Sequence, residues 1–278
     1  MKRLFLLLSL ITFSLNAQQK ETVDLKWTIA DTLTYKTLMQ DTISDESTEK
    51  TKSDSISVKM SDMFKAMQKQ FSNLKYETKL FPSKNGNVDI IMMFKKEQAD
   101  TTENVFSGLA KMNENVVLRG KVSPEGELLS FYYEEDQKNL ISMLFELPTE
   151  PVAIGDEWEL KVNMISLKQN FKADTLYKNN IVRLKDVEIR NGNKIAVIEY
   201  DLEEYVSGDL GNVMMAIFSK DQSDKKTFMK MSYKATAEFD LDKGYWVVYD
   251  GIMDIETNFS LMGMSGNKRT VFKLIPEK

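Results

Sequence analysis

The feature that most constrains the fold is a long alternation of apolar and polar residues from Thr227 to Leu241. A strict period of two places successive side chains on opposite faces, so the segment predicts one long β-strand. Its apolar face carries Met229, Met231, Tyr233, Ala235, Ala237, Phe239 and Leu241. After an Asp-Lys-Gly turn, residues 245–262 form a second such arm, with Val247, Tyr249, Met253, Ile255, Phe259 and Leu261 on its apolar face. Each arm of about 15 residues would extend on the order of 50 Å, so we expect strong twist and curl.

The rest of the chain predicts further strands and a few helices. Glycine-containing turns between alternating segments predict hairpins at residues 83–87, 123–127 and 190–194. An extended segment near the N-terminus has Val23, Leu25, Trp27 and Ile29 on one face. Apolar residues at helical spacing predict helices over 60–74, 100–112, 136–147 and 207–218. We therefore predict a mainly β fold with a few amphipathic helices (α+β), built on long curved antiparallel strands in a half-barrel or barrel-like form.

The N-terminus has the layout of a secretory signal peptide. Two basic residues precede an apolar run from Leu4 to Leu15, and Ala17 offers a cleavage position. The run is shorter than the roughly 20 residues of a membrane-spanning helix. We therefore expect an exported chain, periplasmic or extracellular after cleavage near Ala17, with no transmembrane segment in its mature form.

Hairpin, helix and hairpin recur along the chain, which favours two similar halves. We predict a signal peptide over 1–17, an N-terminal β-rich half with helices over 18–147, a connecting motif over 148–157 and a C-terminal β-rich half with the long closing hairpin over 158–278.

Two absences in the composition exclude whole classes of chemistry. The chain contains no histidine and no cysteine. Nucleophilic triads with histidine, thiol nucleophiles, zinc sites of histidine and cysteine, and disulfides are therefore excluded. Loss of Lys2 and Arg3 with the leader leaves a net charge of −7, which argues against a nucleic-acid partner. We expect no cofactor.

The stretch from Leu147 to Leu160, LPTEPVAIGDEWEL, concentrates two prolines, a Gly-Asp pair and a tryptophan. Pro148 ends the preceding helix, Pro151 keeps the chain extended, and Gly155 supplies a turn before the strand of Trp158. This favours a structural joint, with a ligand-contacting corner at Trp158 as the alternative. The stretch resembles the pattern Leu-Pro-x-x-Pro-Val-x-x-Gly-Asp-x-Trp of a family of uncharacterised exported proteins of Bacteroidota-type bacteria. That resemblance implies no catalytic or ligand-binding residue.

Methionine is abundant, with 17 residues in the chain. The thioether groups favour ordinary core packing, with an adaptable apolar groove or an all-methionine Cu(I) site as alternatives. The candidate ligand-binding residues for an apolar groove are Met60, Met63, Met67, Trp158 and Met229. We assign no metal ligand and no catalytic residue, because Asp250, Asp254 and Glu256 lie on a polar strand face typical of solvated carboxylates. The segment Asp240–Gly244 departs from calcium-loop spacing and favours a β-turn.

These features favour an exported, non-enzymatic protein that binds an apolar small molecule, a lipid or a partner protein of the cell envelope. An envelope scaffold without a pocket and a carboxylate-based hydrolase are the alternatives. An enzyme of this composition would need carboxylates converging in a cleft.

Overall fold

The computed structural model describes residues 21–43, 75–94, 116–131, 135–165, 172–209, 227–258 and 267–277. In chain order the elements of these ranges are β1 (Thr22–Val23), β2 (Leu33–Ile43), β3 (Lys75–Pro82), β4 (Val88–Phe94), β5 (Val116–Val122), β6 (Leu128–Phe131), α1 (Glu135–Phe145), β7 (Val152–Ala153), β8 (Glu157–Trp158), β9 (Lys172–Arg190), β10 (Asn193–Asp209), β11 (Thr227–Asp240), β12 (Tyr245–Thr257) and β13 (Lys268–Pro276).

Eleven of the described strands form one antiparallel sheet, in the order β6-β5-β4-β3-β2-β13-β12-β11-β10-β9-β8. The sheet is curved and does not close into a barrel. The N-terminal strands β2 to β6 form one meander and the C-terminal strands β8 to β13 form another, and the ladder between β2 and β13 joins them. The prediction of a mainly β fold with long curved antiparallel strands is confirmed.

One face of the sheet, here the covered face, packs against α1 and the segments around it. Indole N–H groups tie the layers together: Trp27 Nε1 donates to the Phe145 carbonyl at 3.0 Å and Trp246 Nε1 donates to the Leu144 carbonyl at 2.8 Å. The Trp27 ring meets Phe145, Phe239 and Trp246 at centroid distances of 5.4–5.9 Å. These rings are almost completely buried, so the C-terminal end of α1 is fixed to the sheet by both packing and hydrogen bonds.

The side chains of β11 follow the predicted alternation. Its buried residues include Met231, Tyr233, Ala235, Ala237 and Phe239. The predicted turns at 83–87, 123–127 and 190–194 connect β3 to β4, β5 to β6 and β9 to β10. The helix predicted over 136–147 is α1. The extended N-terminal segment buries Leu25 and Trp27 as expected.

Other expectations need correction or lie outside the described residues. On β12, Trp246 is buried in place of the predicted Val247, because a register shift after Glu238 pairs Phe239 with Trp246. The helix predicted from residue 207 cannot begin there, because Ser207, Gly208 and Asp209 are the last residues of β10. The predicted helices over 60–74 and 100–112, and residues 210–218, lie outside the described ranges.

The motif around Pro151 forms the short strand β7 and the turn that leads into β8. Val152 and Ala153 of β7 pair with β1, and Gly155 turns the chain at a φ of 90°. Asp156 closes this turn, because its Oδ2 accepts the Ala153 N–H at 2.9 Å. Its main chain also bonds to β9, where the Leu184 N–H donates to the Asp156 carbonyl at 3.1 Å. The carboxylate of Asp156 therefore stabilises the turn.

The strand predicted to continue from Trp158 is only two residues long. Leu160, Val162 and Met164 are nevertheless buried in the expected alternation. The side chain of Asn180 replaces the ladder, accepting the Leu160 N–H at 3.1 Å and donating to the Leu160 carbonyl at 2.7 Å. The segment thus runs along β9 through side-chain hydrogen bonds.

Candidate functional site

A groove of about 530 Å³ crosses strands β9 to β13 on the open face of the sheet, the face opposite α1. Cross-strand partners in an antiparallel sheet point to the same side, so the register arranges the lining side chains in two rows. The first row is Arg183, Glu199, Thr236, Asp250 and Lys273. The second row is Ile181, Asp201, Lys234, Ile252 and Val271.

The ionic side chains of the groove are balanced in sign. Three acids (Glu199, Asp201 and Asp250) and three bases (Arg183, Lys234 and Lys273) line it. Lys273 Nζ lies 2.6 Å from Asp250 Oδ1 and Lys234 Nζ lies 3.8 Å from Asp201 Oδ1.

Two further pairs cross the rim of the groove. Lys185 Nζ lies 2.5 Å from Glu199 Oε1, and Arg183 Nε donates to Glu157 Oε1 at 2.9 Å. This hydrogen bond to Glu157, reinforced by the opposite charge, raises the pKa of Arg183. Exposed pairs of this kind contribute little to stability, so their side chains are free to exchange partners with a ligand.

Apolar side chains lie between the charged ones. Ile252 is 42% exposed, and its cross-strand neighbour Val271 is half-buried, as is Ile181 at the β9 end of the same row. The neighbouring open-face residues Val248 and Ile275 are exposed as well. The groove therefore offers dispersion contact and both signs of charge to one ligand.

The covered face beneath the groove is braced by tyrosines. The Tyr233 and Tyr249 hydroxyl oxygens lie 2.6 Å apart, and the Tyr249 hydroxyl lies 2.6 Å from the Met143 carbonyl of α1. Tyr200 packs against both rings, with centroids 6.3 and 5.7 Å away. Burial raises the pKa of all three hydroxyls. The strands that carry the groove are consequently held from behind by a neutral, hydrogen-bonded cluster.

The candidate residues for an apolar groove lie elsewhere or outside the described ranges. Trp158 is half-buried on the covered face opposite Val182, and its buried indole Nε1 has no hydrogen-bond partner among the residues the structure describes. Met229 is partly buried against the core near the start of β11. Neither residue borders the open-face groove. Met60, Met63 and Met67 lie outside the described residues, so the apolar-groove assignment stays a prediction.

The buried carboxylates of the described ranges serve main-chain groups. Glu146 Oε2 accepts the Lys161 N–H at 3.0 Å, and Glu204 Oε2 accepts the Ile165 N–H at 2.8 Å. Asp240 accepts the N–H groups of Asp242 and Lys243 and closes the β-turn predicted there. Within the same ranges no group of three or more carboxylates is placed to hold a metal ion.

The sequence interpretation placed Asp250, Asp254 and Glu256 on a solvated polar face and did not predict a groove there. The three residues do share the open face, and Asp254 is bound by Arg269 through contacts of 2.6 and 2.9 Å. The available signal was Ile252, an isoleucine between two acids on the polar face. Its significance depends on the neighbouring strands, whose register the sequence pattern does not specify.

Comparison with known proteins gives no match: no family model, no curated protein and no solved structure corresponds to this chain. α1 has 11 residues, and no helix in the described part of the chain combines the length and apolar composition of a membrane crossing. The resemblance of the Pro151 motif to a family of exported proteins therefore stays a prediction.

Proposed function

We propose that this chain is an exported, non-enzymatic binding protein whose groove on the open face of the sheet takes a segment of a partner protein. Export is supported by the signal-peptide layout of residues 1–17. The observation that carries the proposal is the groove itself, in which balanced charges surround an exposed isoleucine.

The chemistry of the groove favours a polypeptide over an acyl chain or a nucleic acid. An acyl chain prefers an enclosed site that covers most of its surface, whereas this groove is open and six charged side chains line it. Nucleic acid requires an excess of basic residues, whereas acids and bases are equal in number here. A protein segment carries apolar, acidic and basic side chains within a few residues, which matches the pattern of the two rows.

The carboxylates of the groove support binding over hydrolysis. Asp250 and Glu199 are about half-exposed and each is paired with a lysine. A catalytic acid of this kind is normally desolvated so that its pKa rises. Both carboxylates therefore suit recognition of a partner's charges.

Photo-crosslinking tests the proposal directly. A photoreactive phenylalanine analogue replaces Ile252 in the groove or, as a control, Arg119, which is exposed on the distant strand β5 of the same sheet. We expect one defined protein adduct from position 252, identified by mass spectrometry, and none from position 119. The adduct should be lost in the Lys234→Glu background and retained in the Arg119→Glu background. Equal labelling at both positions would refute a docking role for the groove.

Mass spectrometry of material extracted from the purified protein tests the apolar-ligand hypothesis for the covered face. A stoichiometric lipid released on denaturation would support it and would shift attention to Trp158 and Met229. No extracted ligand, with a protein adduct at position 252, would support the groove as the binding surface.

A further inference from the structure

Three aromatic side chains lie together at the far end of the open face, away from the groove. Tyr177 of β9 is directly opposite Tyr205 of β10 in the ladder. The Tyr205 ring is nearly parallel to that of Phe228 on β11, with centroids 6.0 Å apart and planes 24° apart. We call these three residues the aromatic cluster.

The aromatic cluster is not part of the hydrophobic core. Its neighbours along the strands, Val206 and Met229, point to the covered face and pack against the core, so the aromatic rings point the other way. Tyr177 is 51% exposed, and Tyr205 and Phe228 are only half-buried. Aromatic side chains normally bury most of their surface, and a group of them on a solvent face marks a site of interaction.

Hydrogen-bond donors and hydrogen-bond acceptors both border the aromatic cluster. Lys230 is the cross-strand partner of both Tyr205 and Glu256. Its Nζ lies 2.9 Å from Glu203 Oε2. The border therefore supplies an ammonium donor and two carboxylate acceptors, in addition to the tyrosine hydroxyls.

The charge of this border decides between the ligands that stack on aromatic rings. Nucleic-acid bases also stack on such rings, but their phosphates require a basic surface. Among the described residues of this border, two carboxylates against one lysine give the opposite sign. A sugar ring presents an apolar C–H face for stacking and hydroxyl groups that both donate and accept hydrogen bonds, and it carries no charge when the sugar is neutral.

We propose that the aromatic cluster is a binding site for a neutral glycan, with pyranose rings stacked on Tyr177 and Tyr205 and hydroxyls bonded to Glu203, Lys230 and Glu256. The site is separate from the groove, because Tyr205 lies four residues beyond Asp201 on β10, or about 14 Å along the strand. This inference goes beyond the proposed protein-binding function and does not depend on it.

Affinity electrophoresis of the mature chain tests the proposal. The gels contain one soluble neutral polysaccharide each: laminarin, xyloglucan, galactomannan, dextran or glycol chitin in its fully acetylated form. We expect retardation by at least one of them. Tyr177→Ala and Tyr205→Ala should each weaken the apparent affinity about tenfold, because alanine removes the aromatic surface on which the sugar stacks, whereas Tyr177→Phe keeps that surface and should stay within about threefold.

The matched control is Leu176→Ala. Leu176 is 71% exposed and is adjacent to Tyr177, but its side chain points to the opposite face. This variant should bind like the unaltered chain. Thermal unfolding of every variant checks that the fold is intact. We expect Tyr177→Ala to fold normally, because the Tyr177 side chain is exposed.

Three outcomes would overturn the glycan site: no retardation by any of the five polysaccharides, retardation that Tyr177→Ala and Tyr205→Ala leave unchanged, or retardation lost equally in Leu176→Ala. Failure here leaves the crosslinking result at position 252 unaffected, so the two proposals fail independently.

Discussion

Gly251 lies where any side chain would collide with Tyr233: an ideal Cβ at this position is 2.7 Å from the Tyr233 hydroxyl oxygen and 3.1 Å from its ring. The two residues are on adjacent strands of the covered face, directly beneath the groove. Because Gly251 has no side chain, the ring of Tyr233 packs directly against the main chain of β12 on the covered face.

Gly251→Ala should therefore destabilise the protein by about 1–3 kcal/mol, the usual cost of overfilling a packed core. Urea denaturation followed by circular dichroism measures the change. The same substitution in a Tyr233→Phe background should cost less, because the nearest atom is removed. Additive effects in the double-mutant cycle would contradict a direct collision.

Asn180→Ala should destabilise the protein by about 2–4 kcal/mol, because it leaves both main-chain groups of Leu160 buried without partners. Asn179→Ala is the matched control. That neighbouring side chain makes an exposed hydrogen bond of 3.1 Å to the Asp201 carbonyl, and its loss should cost less than about 1 kcal/mol. If Asn180→Ala lowers the denaturant midpoint no more than Asn179→Ala does, the hydrogen bonds from Asn180 do not hold the segment after Trp158.

The stability of the β11–β12 turn should depend on pH through Asp240. Burial by itself raises the pKa of Asp240, but hydrogen bonds from Lys243 and Asn193 outweigh it, so the pKa lies below the ordinary value of 3.8. The contribution of Asp240 is therefore fully present above about pH 4 and is lost as the pH falls through the folded-state pKa.

Urea denaturation at pH 7 and pH 3 measures this effect. Asp240→Asn should lower the stability at pH 7 and have a smaller effect at pH 3. The difference between the two pH values should shrink in a Lys243→Met background, since Lys243 is the main partner of the carboxylate. A constant difference would disprove the assignment.

The buried tyrosines should resist ionisation in alkali. Burial raises the pKa of Tyr35, Tyr200, Tyr233 and Tyr249 above the ordinary value of 10.0. The unfolded chain ionises near pH 10, so the stability that these hydroxyls contribute is present below pH 10 and decreases as the pH rises further. Ultraviolet absorbance of tyrosinate should show a late group that ionises together with unfolding, and Tyr233→Phe should remove one member of it. Simultaneous ionisation of all tyrosines before unfolding would contradict the buried cluster.

Local pattern alone was sufficient to predict much of the covered face. The alternation from Met231 to Phe239 and the apolar stripe of α1 follow from residue spacing, since each depends only on neighbours in the chain. Trp246 was missed because a bulge changes which residue faces the core, and a bulge has no reliable signature in one strand. The short strand at Trp158 was missed because the side chain of Asn180, distant in sequence, replaces the ladder.

The open face was harder to predict. The groove brings together Arg183, Asp201, Lys234 and Lys273 from four strands, and the aromatic cluster depends on Tyr177 meeting Tyr205 across a ladder. Each of these residues is unremarkable in its own segment. Only the register of long-range pairing places them in rows, and this register depends on the whole sheet.

The ladder between β2 and β13 pairs Tyr35 with Pro276 and Ile43 with Lys268, and it lies in the middle of the sheet. The two meanders on either side can each assemble from local hairpins, but closing the loop between β2 and β13 requires almost the entire chain. Pairing of β2 with β13 therefore cannot occur before β13 has been synthesised. A chain that ends before Lys268 would leave β2 and β12 as edge strands. Their unpaired main-chain groups would favour association with other molecules.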